Sequence, residues 1–350
     1  MSIYFHRSSN LKVDVDLSDW EARAETSVCQ ACASEGQAGK HHVASELLET
    51  SMRRFRSLGV SGVAASLAEL LKLIALTVSP SPTPSFVSLA CLSINANFAH
   101  YDLRWEENLL NFQEFRNILF AAPNLAVLQL ADAVIPCSEI MDLEEAECIE
   151  LPSLMRLRLG GPYNEPGLYS TGVLAALKAP RLRCLDFGYS FPEDDVDQLH
   201  YAFFKKDHTP RFPSVQELSL GTFGGAEDDI TFFDVVVKAF PNVTDVTLKS
   251  TDIGQLGAAL DRAIQPSEGG CALDPWPCLQ HLSLYRPSDD DLPVICTWLK
   301  WRSARIREAR RLSVKVRGPL QGDCKQDVSC LKEMEGYGDL VLEKIELKQL

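Results

Sequence analysis

Several side chains in this sequence are of types that do chemistry, and their spacing decides what they could do. Cys29-Gln30-Ala31-Cys32, followed by His41 and His42, has the two-residue thiol spacing of one zinc knuckle. Zinc asks for four ligands near tetrahedral geometry, yet Ala33 to Lys40 is shorter than a finger loop and no second knuckle follows. Two thiols on or near a surface loop are therefore expected, and no metal. Paired carboxylates recur at Glu193-Asp194-Asp195, Glu227-Asp228-Asp229 and Asp289-Asp290-Asp291, a composition that could serve acid–base work or cation binding. Each group immediately precedes an apolar helical stretch, where carboxylates satisfy free N–H groups and the helix dipole. Capping is the expected role.

No nucleophile or phosphate site is spelled out. Gly221, Gly224 and Gly225 lack the spacing and the lysine of a phosphate-binding loop, and no G-x-S-x-G elbow occurs. The histidines (His6, His41, His42, His100, His200, His208 and His281) fall at unrelated phases of the pattern described next. Neither a catalytic residue nor a cofactor is expected, and the chain does not read as an enzyme.

What organises the chain is a repeat of the form P-x-L-x-x-L-x-L. It aligns Phe55/Leu58/Val60, Leu89/Leu92/Ile94, Leu125/Leu128/Leu130, Leu154/Leu157/Leu159 and Leu182/Leu185/Phe187. It continues with Val215/Leu218/Leu220, Val243/Val246/Leu248, Leu279/Leu282/Leu284, Ala309/Leu312/Val314 and Leu342/Ile345/Leu347. These ten units are spaced by 28 to 36 residues, and six carry the proline: Pro123, Pro152, Pro180, Pro213, Pro241 and Pro277. Aliphatics two apart share one face of a short strand and point to a core. The proline, lacking an N–H, is expected at the first strand position, where it also stops the preceding helix.

Between the strands the pattern turns helical, as over Trp105 to Phe120 and Thr231 to Phe240. Gly62 to Thr77 reads as an amphipathic helix and Val43 to Arg53 as a shorter one. A strand–loop–helix unit cannot bury its apolar side alone, so the units must stack. The expected fold is an α/β solenoid of about ten degenerate repeats, with a curved parallel sheet inside and helices outside. Residues 1–50 should supply an N-terminal edge strand, Leu11 to Leu17, and a helix; 51–350 should be irregular repeats in a single body without an internal boundary.

Composition narrows the partners. A formal net charge of −14 in 350 residues argues against general nucleic-acid or anionic-membrane binding. Met1 to Asn10 lacks the apolar segment of a signal peptide, and Leu67 to Val78 is too short to span a bilayer. Eleven scattered cysteines, an odd number, read as reduced thiols in a cytoplasmic or nuclear protein.

Three stretches carry a family likeness: Tyr4 to Asn10 leading into Val13-Asp14-Val15-Asp16-Leu17, then Met52 to Leu58, then the P-x-L-x-x-L-x-L series. On them the chain resembles, over nearly its whole length, the leucine-rich-repeat region of F-box-type proteins from mushroom-forming fungi. The resemblance implies a protein-binding role as the substrate-recognition part of a Skp–cullin–F-box ubiquitin ligase. The F-box itself is absent from this sequence, so a Skp-type adaptor is expected as a partner only if an F-box lies upstream of Met1. A free-standing scaffold or decoy is the alternative. Gly160, Gly188, Gly221 and Lys249 stand where regular leucine-rich repeats place an asparagine, so no regular asparagine ladder is expected there.

Partner contacts can be placed by phase. Gln129, Arg158, Asp186, Ser219, Thr247 and Ser283 are mid-strand and should line the concave face. Tyr163, Tyr189, Phe191, Phe223, Tyr285 and Arg286 fall in loops after strands and should form a rim. Aromatic and arginine side chains are enriched in binding hot spots, so the rim is expected to carry more binding energy than the strand face; the alternative is that its rings fold back to cover the ends of the repeat core.

Overall fold

A computed structural model describes residues 12–20, 51–78, 85–97, 110–131, 134–136, 140, 148–160, 166–187, 196–221, 230–249, 276–285, 291–305, 312–317 and 324–343. In chain order these form β1 (Val13–Trp20), a 3-10 turn (Met52–Arg54), β2 (Phe55–Val63), α1 (Ala64–Val78), β3 (Cys91–Asn97), α2 (Phe112–Phe120) and β4 (Val127–Leu130). Next come β5 (Ile149–Glu150), β6 (Arg156–Leu159), α3 (Pro166–Ala176), β7 (Leu177–Lys178), β8 (Cys184–Phe187), α4 (Val196–Phe203) and β9 (Glu217–Leu220). The described chain ends with α5 (Ile230–Ala239), β10 (Asp245–Lys249), β11 (His281–Tyr285), α6 (Asp291–Arg305), β12 (Leu312–Arg317), α7 (Cys324–Met334) and β13 (Gly338–Glu343). The class is the expected α/β, with helices alternating with the strands of an eleven-stranded sheet. Chain contacts group into two compact units, Met1–Arg156 with Ala176–Ala179, and Leu157–Ala175 with Pro180–Leu350.

In the first unit β1 to β4 pair in parallel. The aliphatic rows are in register: Val15 with Leu58 and Leu17 with Val60, then Leu58, Leu92 and Leu128, and Val60, Ile94 and Leu130. Apart from Val15 these residues are buried, and complete burial of each contributes about 1.5–3 kcal/mol. On β1 the charged residues Asp14 and Asp16 are exposed while Leu17 is buried, as expected of a half-buried edge strand. Helix α2 is shorter than the stretch from Trp105 suggests. Asn111 has extended backbone and caps it: Asn111 Oδ1 accepts from Glu114 N at 2.8 Å, and Glu114 Oε2 accepts from Asn111 N at 3.0 Å. That reciprocal box fixes the start at Phe112. β5 and β7 pair separately as a short parallel ladder.

In the second unit the same rule holds from β8 to β13. Leu185, Leu218, Val246, Leu282, Val314 and Leu340 form one row, and Leu220, Leu248, Leu284, Val316 and Leu342 another. These rows correct the last two sequence frames. Val314/Val316, not Leu312/Val314, lie opposite Leu282/Leu284, and the final strand uses Leu340/Leu342; Ile345 and Leu347 lie outside the described residues. The reason is that Leu312, Val314 and Val316 alternate in one phase and are all buried, so periodicity alone leaves a two-residue ambiguity. Backbone pairing resolves it: Ser313 N donates to Gln280 O at 2.8 Å, which sets Val314 beside Leu282. On the other side of β12, a side chain at Gly338 would bring its Cβ to 2.7 Å from the Leu312 carbonyl oxygen, so the close approach there requires glycine.

The prolines sit elsewhere than expected. Pro123 precedes the strand start Val127 by four residues, and the same offset separates Pro152 from Arg156, Pro213 from Glu217 and Pro277 from His281. Each occupies a turn closed by the residue two further on. Leu125 N donates to Ala122 O at 3.1 Å, Leu154 N to Leu151 O at 3.1 Å, Val215 N to Phe212 O at 3.2 Å and Leu279 N to Trp276 O at 3.1 Å. Proline's fixed φ suits the second residue of such a turn, and its missing N–H costs nothing there. The residue before each proline is buried (Ala122, Leu151, Ala179, Phe212, Phe240 and Trp276), an apolar position that the repeat pattern above omits.

After the proline, side chains stitch successive turns together. Asn124 Nδ2 donates to Val87 O at 2.8 Å, Ser214 Oγ to Pro180 O at 3.1 Å and Asn242 Nδ2 to Pro213 O at 3.0 Å. In the second unit a buried arginine on α6 serves the same end. Arg302 Nη2 donates to Leu279 O at 3.0 Å, and its guanidinium lies 5.4 Å from the Trp298 ring centre.

In sequence the acidic triplets immediately precede α4 and α5 and run into the first residue of α6, Asp291. Apart from Asp291 their residues are outside those described, as are Cys29, Cys32, His41, His42 and residues 43–50 of the helix expected over Val43 to Arg53, whose end is the 3-10 turn Met52–Arg54.

Candidate interaction surface

With alternate strand residues committed to the core, the residues between them occupy the opposite face, and the parallel register sets them side by side. In the second unit Asp186 of β8 lies beside Ser219 of β9, then Thr247 of β10, Ser283 of β11 and Lys315 of β12. All five are half-buried. Thus four of the six residues expected on the strand face are consecutive neighbours. Arg158, exposed on β6, joins them through an ion pair of 3.6 Å between its Nε and Asp186 Oδ2. Gln129 lies in the first unit beside Ser93, whose hydroxyl is 3.4 Å from Gln129 Oε1.

Asp186 is the hinge of the row. Lys249 Nζ, two residues beyond Thr247, donates to Asp186 Oδ1 at 2.6 Å and so reaches across β9. Ser219 stands on the strand between them, its Oγ buried and without a hydrogen-bond partner among the described residues. At the carboxyl ends of β10, β11 and β12, Lys249, Tyr285 and Arg317 are in register. The Arg317 guanidinium stacks 5.1 Å from the Tyr285 ring centre and donates to the Tyr285 hydroxyl. That contact holds the aromatic ring at the strand ends and lowers the entropy lost when a partner orders it. Of the expected rim, Tyr285 is the described member; Tyr163, Tyr189, Phe191, Phe223 and Arg286 lie outside the described residues.

The amino-terminal ends of β9, β10, β11 and β13 carry Glu217, Asp245, His281 and Asp339, in register through Ser313 of β12. Over β9 to β11 the surface thus runs from Glu217, Asp245 and His281 at the strand starts through the hydroxyls of Ser219, Thr247 and Ser283 to Lys249 and Tyr285 at the ends of β10 and β11. Exposed ion pairs on such a face are individually weak. In the first unit, Arg56 Nε donates to Asp14 Oδ1 at 2.9 Å within a two-pronged contact. The guanidinium's hydrogen bonds hold the Asp14 carboxyl below its ordinary range.

Away from this face, Cys296 of α6 is buried, and burial pushes its thiol up to about 11, with Glu333 and Cys330 of α7 adding to the effect. Cys91, Cys148, Cys184, Cys278, Cys296 and Cys330 are thiols rather than half-cystines. Among the described residues no helix is long and apolar enough to cross a membrane, and no group of three or more His, Cys, Asp or Glu is arranged to hold a metal ion.

No protein-family model matches the chain, and no curated protein matches its sequence. The functional reading therefore rests on the geometry and on the likeness drawn from the repeat itself.

Sequence reasoning missed Lys249, Lys315 and Arg317. Lys249 was placed just after its strand, whereas it is the last residue of β10. The other two were lost with the frame at Leu312. A count of alternation on both sides of Val314 would have exposed the ambiguity and made Lys315 a candidate.

Proposed function

We propose that this chain is a protein-interaction repeat and, by its resemblance, the substrate-recognition part of an F-box-type ubiquitin-ligase subunit acting in the cytoplasm or nucleus. The observation that carries the reading is the register of Asp186, Ser219, Thr247, Ser283 and Lys315, which repeats a polar side chain at each strand from β8 to β12 and gives way to Val341 on β13. Parallel strands space such residues about 4.8 Å apart, so a partner meets a fixed comb of hydroxyls and charges. Tyr285, stacked on Arg317 at the strand ends, supplies an aromatic anchor of the kind that dominates binding energy. Contact with a Skp-type adaptor belongs to this reading only where an F-box accompanies the repeat; a scaffold or decoy would use the same surface without a ligase.

The test joins capture to turnover. A photo-reactive residue placed at Tyr285 should capture a protein partner in cells of the source, and that partner's half-life should lengthen when the chain is deleted. Capture with an unchanged half-life would leave the scaffold reading and exclude the ligase one. No capture from Tyr285, with a partner trapped instead from the helices, would overturn both.

A further inference from the structure

Helices α6 and α7 share a cluster of side chains at their junction, away from the strand face. They return the chain from β11 to β12 and from β12 to β13, which are parallel strands, so the two helices run in the same direction. Lys300 Nζ of α6 stands 3.7 Å from Glu333 Oε1 of α7, on the exposed side of the junction. Cys296 precedes Lys300 by four residues and Cys330 precedes Glu333 by three, so each thiol lies one turn back on the same helix face. With both helices running the same way, that turn sets Cys296 and Cys330 against each other across the junction.

The two thiols differ in access. Cys296 is only 4% exposed, on a helix whose Ile295, Trp298 and Leu299 are also buried. Cys330 is half-buried, next to buried Leu331. Both are thiols rather than half-cystines. Burial pushes the Cys296 thiol up to about 11, and the charges of Glu333 and Cys330 add to that, together with a hydrogen bond to the Glu333 side chain. That hydrogen bond brings Cys296 to the turn of α7 that carries Cys330. At neutral pH Cys296 is therefore a shielded, protonated thiol, and Cys330 is the one of the pair that a solute reaches first.

We propose that Cys330 and Cys296 form a redox latch, in which a small disulfide, oxidised glutathione, converts the two thiols into one bond joining α6 to α7. The Cys330 thiolate attacks one sulfur of oxidised glutathione and breaks its S–S bond; the first glutathione leaves as a thiolate and takes up the proton that Cys330 gave up. Cys296 then loses its proton and attacks the Cys330 sulfur of the mixed disulfide. The second glutathione leaves as a thiolate and takes up that proton. In sum two protein thiols are oxidised and one glutathione disulfide is reduced to two thiols. The raised Cys296 thiol makes the second step the slow one, and excess reduced glutathione runs the sequence backwards. The bond closes the segment that holds β12, whose Lys315 and Arg317 lie beside Ser283 and Tyr285 on the strand face. The latch does not depend on the ligase reading.

The test adds oxidised glutathione to the full folded chain, followed by acid quenching, alkylation and mass mapping of unreduced peptides over time. Glutathione is expected on Cys330 first, then lost as a Cys296–Cys330 peptide pair appears, with the far-ultraviolet circular dichroism unchanged. Cys296→Ser should stop at the Cys330 adduct, and Cys330→Ser should leave Cys296 unmodified at times when the wild type is bridged. Dithiothreitol should restore both thiols, and the bridged chain should have a higher thermal midpoint than the reduced one. The wild-type time course decides the matter even where a variant fails to fold. Glutathione settling on Cys296 first, a preferred bridge from either thiol to another cysteine, no bridge in the folded chain, or a lower midpoint on bridging would each overturn the proposal.

Discussion

Lys249 Nζ and Asp186 Oδ1 lie 2.6 Å apart although strand β9 separates their strands. The lysine stem lies along the strand face, so the pair ties β8 to β10 over Ser219. Both side chains are partly exposed, so the pair should be worth little in isolation. A double-mutant cycle with Asp186→Asn and Lys249→Met, followed by urea unfolding, should give a coupling of about 0.5–1 kcal/mol that shrinks in high salt. A coupling of zero would show that the contact is incidental.

Gly338 is expected to be intolerant. With its Cβ position 2.7 Å from the Leu312 carbonyl, Gly338→Ala must push backbone against backbone. A loss of about 1–3 kcal/mol is expected, read as a lower urea midpoint at unchanged slope. Wild-type stability in this variant would mean that the β12–β13 register is not the one described.

Arg302 should matter through its carbonyl contacts more than its charge. Arg302→Met keeps much of the apolar stem but leaves the buried Leu279 carbonyl short of a donor. A cost of about 1–3 kcal/mol is expected, and Arg302→Lys should recover only part of it. Equal stability of the methionine variant would sink this assignment.

How much of this was legible in sequence follows from the physics of each feature. Leu218/Leu220 and Val246/Leu248 were readable because a strand buried on one face must alternate. The register of β12 was not, because Leu312, Val314 and Val316 satisfy two frames equally and the choice lies in a backbone hydrogen bond, Ser313 N to Gln280 O, that periodicity does not encode. The prolines were recognised as punctuation but misplaced. A missing N–H is equally harmless at a strand start and in a turn, and only the buried residue ahead of each proline separates the two. On the surface, Asp186, Ser219, Thr247 and Ser283 followed from alternation, while Lys249 was missed because a long side chain can act two residues and two strands from its origin.

The Cys296 thiol gives a prediction about pH. Burial and the neighbouring Glu333 raise it from 9.0 to about 11, so the folded chain keeps a proton that the unfolded chain loses. The contribution is fully present below pH 9.0 and declines as pH rises from there to about 11. Urea midpoints across that window should fall more steeply for wild type than for Cys296→Ala. Parallel curves would mean that the thiol is not so perturbed.

In the proposed function a partner meets the strand side of the second unit near Tyr285, rather than its helices. The most direct measurement places a photo-reactive phenylalanine derivative at Tyr285, at Thr247 or at Lys238 of α5, one position per variant, and compares adducts with the same partner. The account expects adducts from Tyr285 and Thr247, with Tyr285 the stronger, and none from Lys238. Adducts from Lys238 alone, or from none of the three while the partner still binds, would contradict it.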